Sequence, residues 1–300
     1  MRNTEYIMTS EKEARTGNTG LAKVAVQCSA DTFVVNQSLV LRINICGENR
    51  HLRQARKRYA ATLDNHYLKI MIKQIIHFTS AFKTLKSIMT SKSLKLSYCN
   101  EDFNIGDKTV SKAAHPMICF SEYDISSINR NIITYGQFGI AFSKAWVDKN
   151  KVHPVLYIDR NSIVAQSLAD LLIARRKNAT TQLSPKVRLS IMTIKCFTKN
   201  SKGYNSRLKQ ADFDFKSENE WRFVPTKKQI GGKLISQNKS KYLLKKDLHN
   251  EQVAPYPLQF TKNDIEFIFV ETQEQRETIE NLYSIDKNKI KISKWKTKSA

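Results

Sequence analysis

The sequence lacks the patterns that mark a metal site, a disulfide framework or a membrane span. Its five cysteines are odd in number and widely spread, and no two form a CxxC pair. No Cys/His cluster has zinc-ligand spacing, so neither a structural zinc site nor a disulfide framework is indicated. No apolar run reaches about 18 residues, and the N-terminus has no signal-peptide core. We therefore expect a cytoplasmic protein without a membrane span.

The common catalytic signatures are also missing. The chain contains no GxSxG, HExxH, Walker A or GxGxxG motif. These patterns mark nucleophile-elbow hydrolases, zinc proteases, P-loop nucleotidases and dinucleotide-binding folds. Any chemistry must therefore rest on less regular groups of residues.

Positive charge is what the chain has in excess. It carries 50 Lys and Arg against 27 Asp and Glu, a net charge of +23, while 41% of its residues are hydrophobic and can form a core. Such a surplus predicts attraction to nucleic acid, to an acidic partner or to an anionic membrane. Basic clusters at 227–228, 245–246 and 287–298 suit phosphate contacts without sequence readout. Lysines that are simply solvated are the alternative.

Two regions differ in character. Residues 1–70 begin with a polar stretch without periodicity, and we expect an N-terminal extension that is partly disordered. Met71 directly precedes the first convincing strand, so translation starting there would leave the extension out of the native product. Residues 71–300 form the main domain, and a lysine-rich stretch at 226–252 is expected to be a mobile insertion.

Hydrophobic periodicity within 71–300 predicts an α+β fold, with short strands in mixed or antiparallel order flanked by helices. We predict 198–213 to be a loop. The strands are predicted at 75–78, 116–120, 138–142, 154–158, 221–224, 266–270 and 289–293. The helices are predicted at 81–90, 124–136, after Ser143, 161–178, 184–197 and 273–283.

Two small groups of residues are candidates for a catalytic site. His77 and Thr79 lie at the end of a strand, and Glu218 and Glu220 stand two residues apart, a spacing that puts both on one face of a strand. A histidine that holds a ribose hydroxyl and a carboxylate that stabilises an oxocarbenium ion would suit cleavage of a nicotinamide–ribose bond. The alternatives are a structural histidine and solvated glutamates.

Trp221 and Arg222 follow directly and extend this group. An indole can stack on a ring and a guanidinium can bind phosphate. The alternative is that Trp221 completes the core and Arg222 pairs with Glu218.

Several motifs occur in one order along 71–295 and together resemble the abortive-infection AbiGi family. They are Ile76-His77-Phe78-Thr79, Leu85-Lys86-Ser87-Ile88, Lys95-Leu96-Ser97-Tyr98-Cys99, Pro116-Met117-Ile118-Cys119-Phe120-Ser121, Tyr135-Gly136-x-Phe138-Gly139-Ile140-Ala141-Phe142-Ser143-Lys144-x-Trp146, Pro154-Val155-Leu156-Tyr157 and Glu218-x-Glu220-Trp221-Arg222. The resemblance implies a bacterial phage-defence protein, the antitoxin-like component of a two-gene system, with a cognate defence-system protein as its partner.

The family in turn resembles ADP-ribosyltransferases, whose core carries His, aromatic or Ser, and Glu motifs on three strands. By this resemblance His77 matches the first motif and Glu220 the last, with Glu218 as the upstream carboxylate. Ser121 or Tyr123 would supply the middle motif. The arginine often found in the first motif is absent, since Ile76 precedes His77.

Three functions remain open from the sequence. The first is a defence protein that binds a partner or nucleic acid through its basic surface. The second is a transferase that modifies nucleic acid or protein with NAD as cofactor. This transferase would use Glu220, Glu218 and His77 in catalysis, and would bind NAD through a set of side chains: His77, Thr79, Ser121, Tyr123, Trp221 and Arg222. The third is a nucleic-acid-binding regulator of its own operon.

Overall fold

The structure, a computed structural model, describes residues 73–176 and 182–297. The predicted N-terminal extension, 1–70, lies outside these residues, and its character and its place in the native product stay predictions. No helix in the described ranges is long and apolar enough to cross a membrane.

The described chain is mixed α+β, as predicted. Its helices are α1 (Phe82–Ser91), α2 (Lys144–Lys149), α3 (Ile163–Ala174), α4 (Pro185–Cys196), α5 (Lys239–Leu244), α6 (Lys246–Val253) and α7 (Gln273–Tyr283). Its strands are β1 (Lys73–Thr79), β2 (Ser93–Leu94), β3 (Ser97–Ile105), β4 (Lys108–Asp124), β5 (Ile132–Ile133), β6 (Phe138–Phe142), β7 (His153–Pro154), β8 (Leu156–Ile158), β9 (Thr198–Asn200), β10 (Lys202–Asn205), β11 (Gln210–Asp214), β12 (Glu220–Phe223), β13 (Gln237–Asn238), β14 (Leu258–Gln259), β15 (Ile265–Val270), β16 (Ile290–Ile292) and β17 (Lys296–Thr297).

A nine-stranded sheet organises the domain. Its main path runs β16-β15-β6-β1-β4-β12-β7, and β3 and β13 also pair with β4. The pairs are antiparallel except β15 with β16, which are parallel. Strand β6 thus joins β1, from the start of the described chain, to β15, from near its end.

The two faces of this sheet are covered by different apolar clusters, because successive residues of a strand point to opposite sides. Ile75 belongs to a large cluster that also includes residues of α1, α2 and α7. Its neighbour Ile76 belongs to a smaller cluster with Tyr123 and Trp295. We call these sides the large-core face and the Trp295 face.

A third cluster lies between β3 and the helix pair α3–α4. Phe103 of β3 packs there with Leu168 and Leu172 of α3 and with Ile191 and Met192 of α4. Both helices have an N-cap serine, Ser162 or Ser184, whose hydroxyl accepts a hydrogen bond from the backbone amide three residues later. Helix α4 also has a proline in its first turn. The predicted start at Ser184 is confirmed.

Strand β4 is much longer than the five-residue strand predicted at 116–120. It runs 17 residues and pairs with β1, β3, β12 and β13. Its first half is polar and was not recognisable as a strand, because the pairing with β3 rather than an apolar pattern makes it extended.

Two predicted elements are wrong. In place of a helix over 124–136 the chain forms a 3₁₀ turn at Ile128–Arg130 and the short strand β5. The Asp124 carboxylate accepts from the backbone amide and the hydroxyl of Ser126, which closes a local turn instead of capping a helix. The loop predicted at 198–213 contains β9, β10 and β11, and β9 is held by parallel pairing with β8.

Other segments agree with the sequence in part. Helices α1, α4 and α7 fall within one or two residues of their predicted bounds. In α3, Leu168 and Leu172 are buried as predicted, whereas Ile163 and Leu171 are exposed. The stretch 226–252 contains α5 and most of α6, and Tyr242 is buried against the large core; its mobility stays a prediction.

Candidate functional site

A cluster of charged side chains lies buried where β12 meets β4 and β9. Its members are three carboxylates and two cations: Glu101, Glu218, Glu220, Lys199 and Arg222. The three carboxylates and Arg222 are each at most 8% exposed. Buried charges of this kind persist only when they are paired and hydrogen-bonded.

Arg222 is the centre of the cluster. Its Nε donates to Glu220 Oε1 at 2.7 Å, and its Nη2 donates to Glu220 Oε2 at 3.1 Å and to Glu101 Oε1 at 2.7 Å. Its Nη1 donates to the Cys196 carbonyl at 2.7 Å. The guanidinium is 0% exposed, so all three of its nitrogens are used by the protein itself. The expected pair with Glu218 is not formed.

Lys199 joins the two glutamates that the sequence singled out. Its Nζ donates to Glu218 Oε2 at 2.8 Å and to Glu220 Oε2 at 3.1 Å. The ammonium also lies 4.2 Å from the centre of the Phe215 ring. One lysine therefore holds both carboxylates together.

The backbone explains how adjacent glutamates reach the same lysine. Glu218 ends a 3₁₀ turn and Glu220 begins β12, so they do not share a strand as predicted. Between them Asn219 adopts the left-handed conformation, with φ 43° and ψ 48°, which asparagine tolerates better than most residues. Tyr157 fixes the corner, because its hydroxyl accepts from the Glu220 amide at 2.8 Å.

Neighbouring charges shift the pKa values of Glu220 and Lys199 towards their charged forms. Burial by itself would raise the pKa of Glu220, but Arg222 and Lys199 outweigh it and lower that pKa to about 2. Burial would likewise lower the pKa of Lys199, and the carboxylates of Glu220, Glu101 and Glu218 raise it instead. Glu220 and Lys199 are therefore both charged at neutral pH.

His77 lies on the other side of the sheet. Ser121 pairs directly with both Ile76 and Glu220, and directly paired residues of an antiparallel sheet point to the same face. Glu220 therefore shares the Trp295 face with Ile76, and His77 points to the large-core face, where its ring contacts Phe120. Its Nδ1 donates to the Cys119 carbonyl at 2.9 Å, and burial lowers its pKa.

The remaining predicted residues divide in the same way. Ser121 and Tyr123 are on the face of Glu220, and burial raises the pKa of the Tyr123 phenol to about 12. Thr79, two residues after His77, and Trp221, which packs on the large core, belong to the opposite face. The structure thus brings Glu218, Glu220 and Arg222 together with Ser121 on the same face, and separates them from His77, Thr79 and Trp221.

Two surface clefts flank the buried cluster, and Asn219 lines both. One, of about 600 Å³, is polar and is lined by Lys73, Tyr123 and Arg130 among others. The other, of about 630 Å³, is lined by Leu156, Val164 and residues near them. Neither Glu218 nor Glu220 lines either cleft.

Two further basic groups lie close to the cluster and have no hydrogen-bond partner for their buried nitrogens. Lys195 Nζ and His115 Nε2 are both in this position. Burial lowers the pKa of Lys195. Burial, followed by the charge of Lys195, lowers the pKa of His115 to about 3, so this imidazole is neutral at physiological pH.

Sequence reasoning missed two members of the cluster, Glu101 and Lys199, and also Tyr157, which holds the Glu220 amide. They come from β3, β9 and β8, and no spacing relates them to β12. The described residues contain no group of three or more His, Cys, Asp and Glu side chains arranged to hold a metal ion.

Comparison with known proteins gives the family. A family model described as "Putative abortive phage resistance protein AbiGi, antitoxin" matches residues 92–271, which is more than half of the 300-residue chain. The chain belongs to the AbiGi family. The matched AbiGi segment contains the whole buried cluster and leaves His77 and Thr79 outside. Searches of the curated proteins and of the solved structures found no match, so the further resemblance to ADP-ribosyltransferases stays a prediction.

Proposed function

We propose that this protein acts in abortive phage resistance as the antitoxin-like component, which restrains a partner toxin by binding it. The family match supports a role in phage resistance, and the description of that family as an antitoxin supports a binding role. The observation that carries the proposal is the saturation of the charged cluster. Arg222 donates to Glu220 and Glu101, and Lys199 donates to Glu218 and Glu220, so these charges satisfy one another as expected for a scaffold.

The transferase alternative finds less support in this geometry. A carboxylate that stabilises a sugar cation must reach the sugar, yet Glu220 is 4% exposed and paired with two cations. His77, the proposed ribose ligand, is on the opposite face of the sheet. A transferase mechanism would therefore require the cluster to open and would still lack its histidine.

Co-expression with the toxin encoded alongside this protein tests the proposal. We expect the full chain to restore growth to cells that produce the toxin, and the two proteins to co-purify as a complex. The purified complex should release no nicotinamide when incubated with NAD. Failure to restore growth, or a rescue that consumes NAD and modifies the toxin covalently, would overturn the binding function.

Glu220→Gln separates the two mechanisms further. Binding predicts that this variant still rescues growth at temperatures where thermal unfolding shows it folded, whereas a transferase loses its activity. Wild-type protein at the same temperature is the matched control. A folded Glu220→Gln protein that fails to rescue would favour the enzyme.

A further inference from the structure

Helix α3 has exposed apolar side chains in addition to its buried face. Its twelve residues, IVAQSLADLLIA, contain a single charged side chain, Asp170. Ala165, Leu168, Ala169 and Leu172 form the buried face. The polar side chains of α3 lie together on the outward side, and the flanks between that side and the buried face expose apolar residues.

One flank of α3 forms a continuous surface, which we call the α3 strip. Val164 and Leu171 are 55% and 43% exposed and are seven residues apart, which puts them on the same flank two turns from each other. Arg175 is one further turn along that flank. At the other end Val164 lines the 630 Å³ cleft together with Leu156, which is 57% exposed. From Val164 to Arg175 the strip is roughly 16 Å long at about 1.5 Å per residue.

The arginine end of the strip carries concentrated positive charge. Arg175 and Arg176 end α3, and Arg188 of α4 is close by. Within residues 73–176 and 182–297 none of the three pairs with a carboxylate, and the Nε of Arg175 is buried without a hydrogen-bond partner. Burial and then the charges of Arg188 and Arg176 lower the pKa of Arg175. The helix dipole favours cations at the end of α3 but disfavours Arg188 in the second turn of α4.

We propose that the α3 strip binds an amphipathic segment of the partner toxin, with aliphatic side chains against Leu156, Val164 and Leu171 and carboxylates against Arg175. This inference rests on the proposed antitoxin function and names the surface and the chemistry that serve it. Apolar anchors spaced over two to three turns with a charge at one end match the way a helix binds in a groove. Arg176 donates to the Val110 carbonyl, and the acidic end of the segment would supply the carboxylates that the three arginines lack among the described residues.

A protein segment suits this surface better than an anionic membrane. Helices that lie on membranes place Lys and Arg along their polar face, and α3 has none between Ile163 and Ala174. The basic residues are instead at one end of the helix, which suits a protein segment that binds in one orientation.

Affinity for the purified toxin, measured with the full chain, tests the strip. Leu171→Asp should weaken binding at least about tenfold, because it puts a charge into the apolar contact. Ile173→Asp is the matched control: it is 46% exposed on the same helix but on the opposite flank. We expect Ile173→Asp to change the affinity less than about twofold.

Charge reversal at Arg175 gives a second, independent readout. Arg175→Glu should weaken toxin binding at least about tenfold, because it repels the carboxylates of the bound segment. It should change the melting temperature of the free protein little, since a new ion pair with Arg188 offsets the loss of a favourable charge at the end of α3. A residue with only a structural role would not lose affinity while the stability stays unchanged. Lys83→Glu, an exposed position on α1 with the same change in net charge, should leave both unchanged.

The outcomes separate the inference from the function beneath it. If wild type binds the toxin and both Leu171→Asp and Arg175→Glu bind equally well, the strip is refuted while the antitoxin function stands. If the wild-type protein does not bind the toxin, both the strip and the antitoxin function are refuted. Vesicles of equal parts phosphatidylserine and phosphatidylcholine are the third arm, and binding to them that Leu171→Asp abolishes, with toxin binding intact, would identify the strip as a membrane surface and overturn the proposal.

Discussion

Replacing Arg222 by methionine should destabilise this protein more than almost any other single change. Arg222 is 0% exposed and makes contacts of 2.7 to 3.1 Å with Glu220, with Glu101 and with the Cys196 carbonyl. Without it, Glu220 keeps only Lys199, and Glu101 loses its ion pair. Removing one partner from a buried ion pair costs about 3–5 kcal/mol, because the other charge stays buried and uncompensated.

The pH dependence of this loss follows from the pKa of Glu220. In wild type that pKa is lowered from 4.5 to about 2, so the stabilisation is complete above about pH 4.5 and disappears as the pH falls towards 2. In Arg222→Met the uncompensated carboxylates should have raised pKa values and take up protons at higher pH. The difference in unfolding free energy between the two proteins should therefore be largest near neutral pH and shrink in acid.

Urea unfolding of the full chain, followed by tryptophan fluorescence, measures this difference. The control is Arg160→Met, which breaks a 3.7 Å ion pair with Asp107 whose side chains are 41% and 99% exposed; it should cost less than about 1 kcal/mol. Adding Glu220→Gln to Arg222→Met should recover part of the loss, because it removes one of the unpaired charges. Equal effects of Arg222→Met and Arg160→Met would refute the account of the cluster.

Three further predictions concern single positions. Lys195→Met should raise the stability at pH 7 by about 1–3 kcal/mol, since it replaces a buried, unpartnered amine, and the gain should shrink at high pH as the wild-type lysine becomes neutral; a loss of stability would contradict this. As the pH falls from 6.5 to 3 the unfolding free energy should decrease, because His115 binds a proton in the unfolded state but stays neutral in the folded state. His115→Gln should reduce this dependence of the unfolding free energy on pH, measured by urea titration. Gly136→Ala should cost more than about 2 kcal/mol of stability, because a Cβ there would be 2.3 Å from the Thr79 carbonyl oxygen. Gly232→Ala should cost only about 1 kcal/mol, because a Cβ there meets open space and only the positive φ is unfavourable. Similar losses at both glycines in thermal unfolding would argue against the close contact.

Elements with local signals could be predicted from the sequence. Ser184 followed by Pro185 marks the start of α4, and the spacing of Leu85, Ile88 and Met89 gives the buried side of α1. The polar half of β4 could not be found, because its conformation depends on pairing with β3. The helix expected after Asp124 failed because the carboxylate closes a turn with Ser126, and such competition between local hydrogen bonds is not visible in the apolar pattern.

The candidate site shows the same limit. The spacing of Glu218 and Glu220 predicted a shared strand face, but Glu218 is in a 3₁₀ turn. The left-handed Asn219 and the shared partner Lys199 hold the two carboxylates together instead. Whether His77 or Ile76 faces Glu220 depends on the pairing register of three strands. A shift of one residue exchanges the two faces, and a single sequence does not encode register in any local pattern.

The interleaved strand order sets a delay between translation and function. β15 and β16 come from the last part of the described chain, yet β15 pairs with β6, which in turn pairs with β1 from its first part. The sheet cannot be completed before residue 292, the last residue of β16, has left the ribosome. Synthesis of the two hundred or so residues from 73 to 292 takes roughly 10 to 45 seconds at about 5–20 residues per second. A protein that restrains a toxin would thus be inactive throughout its own synthesis, and the cell would depend on molecules completed earlier.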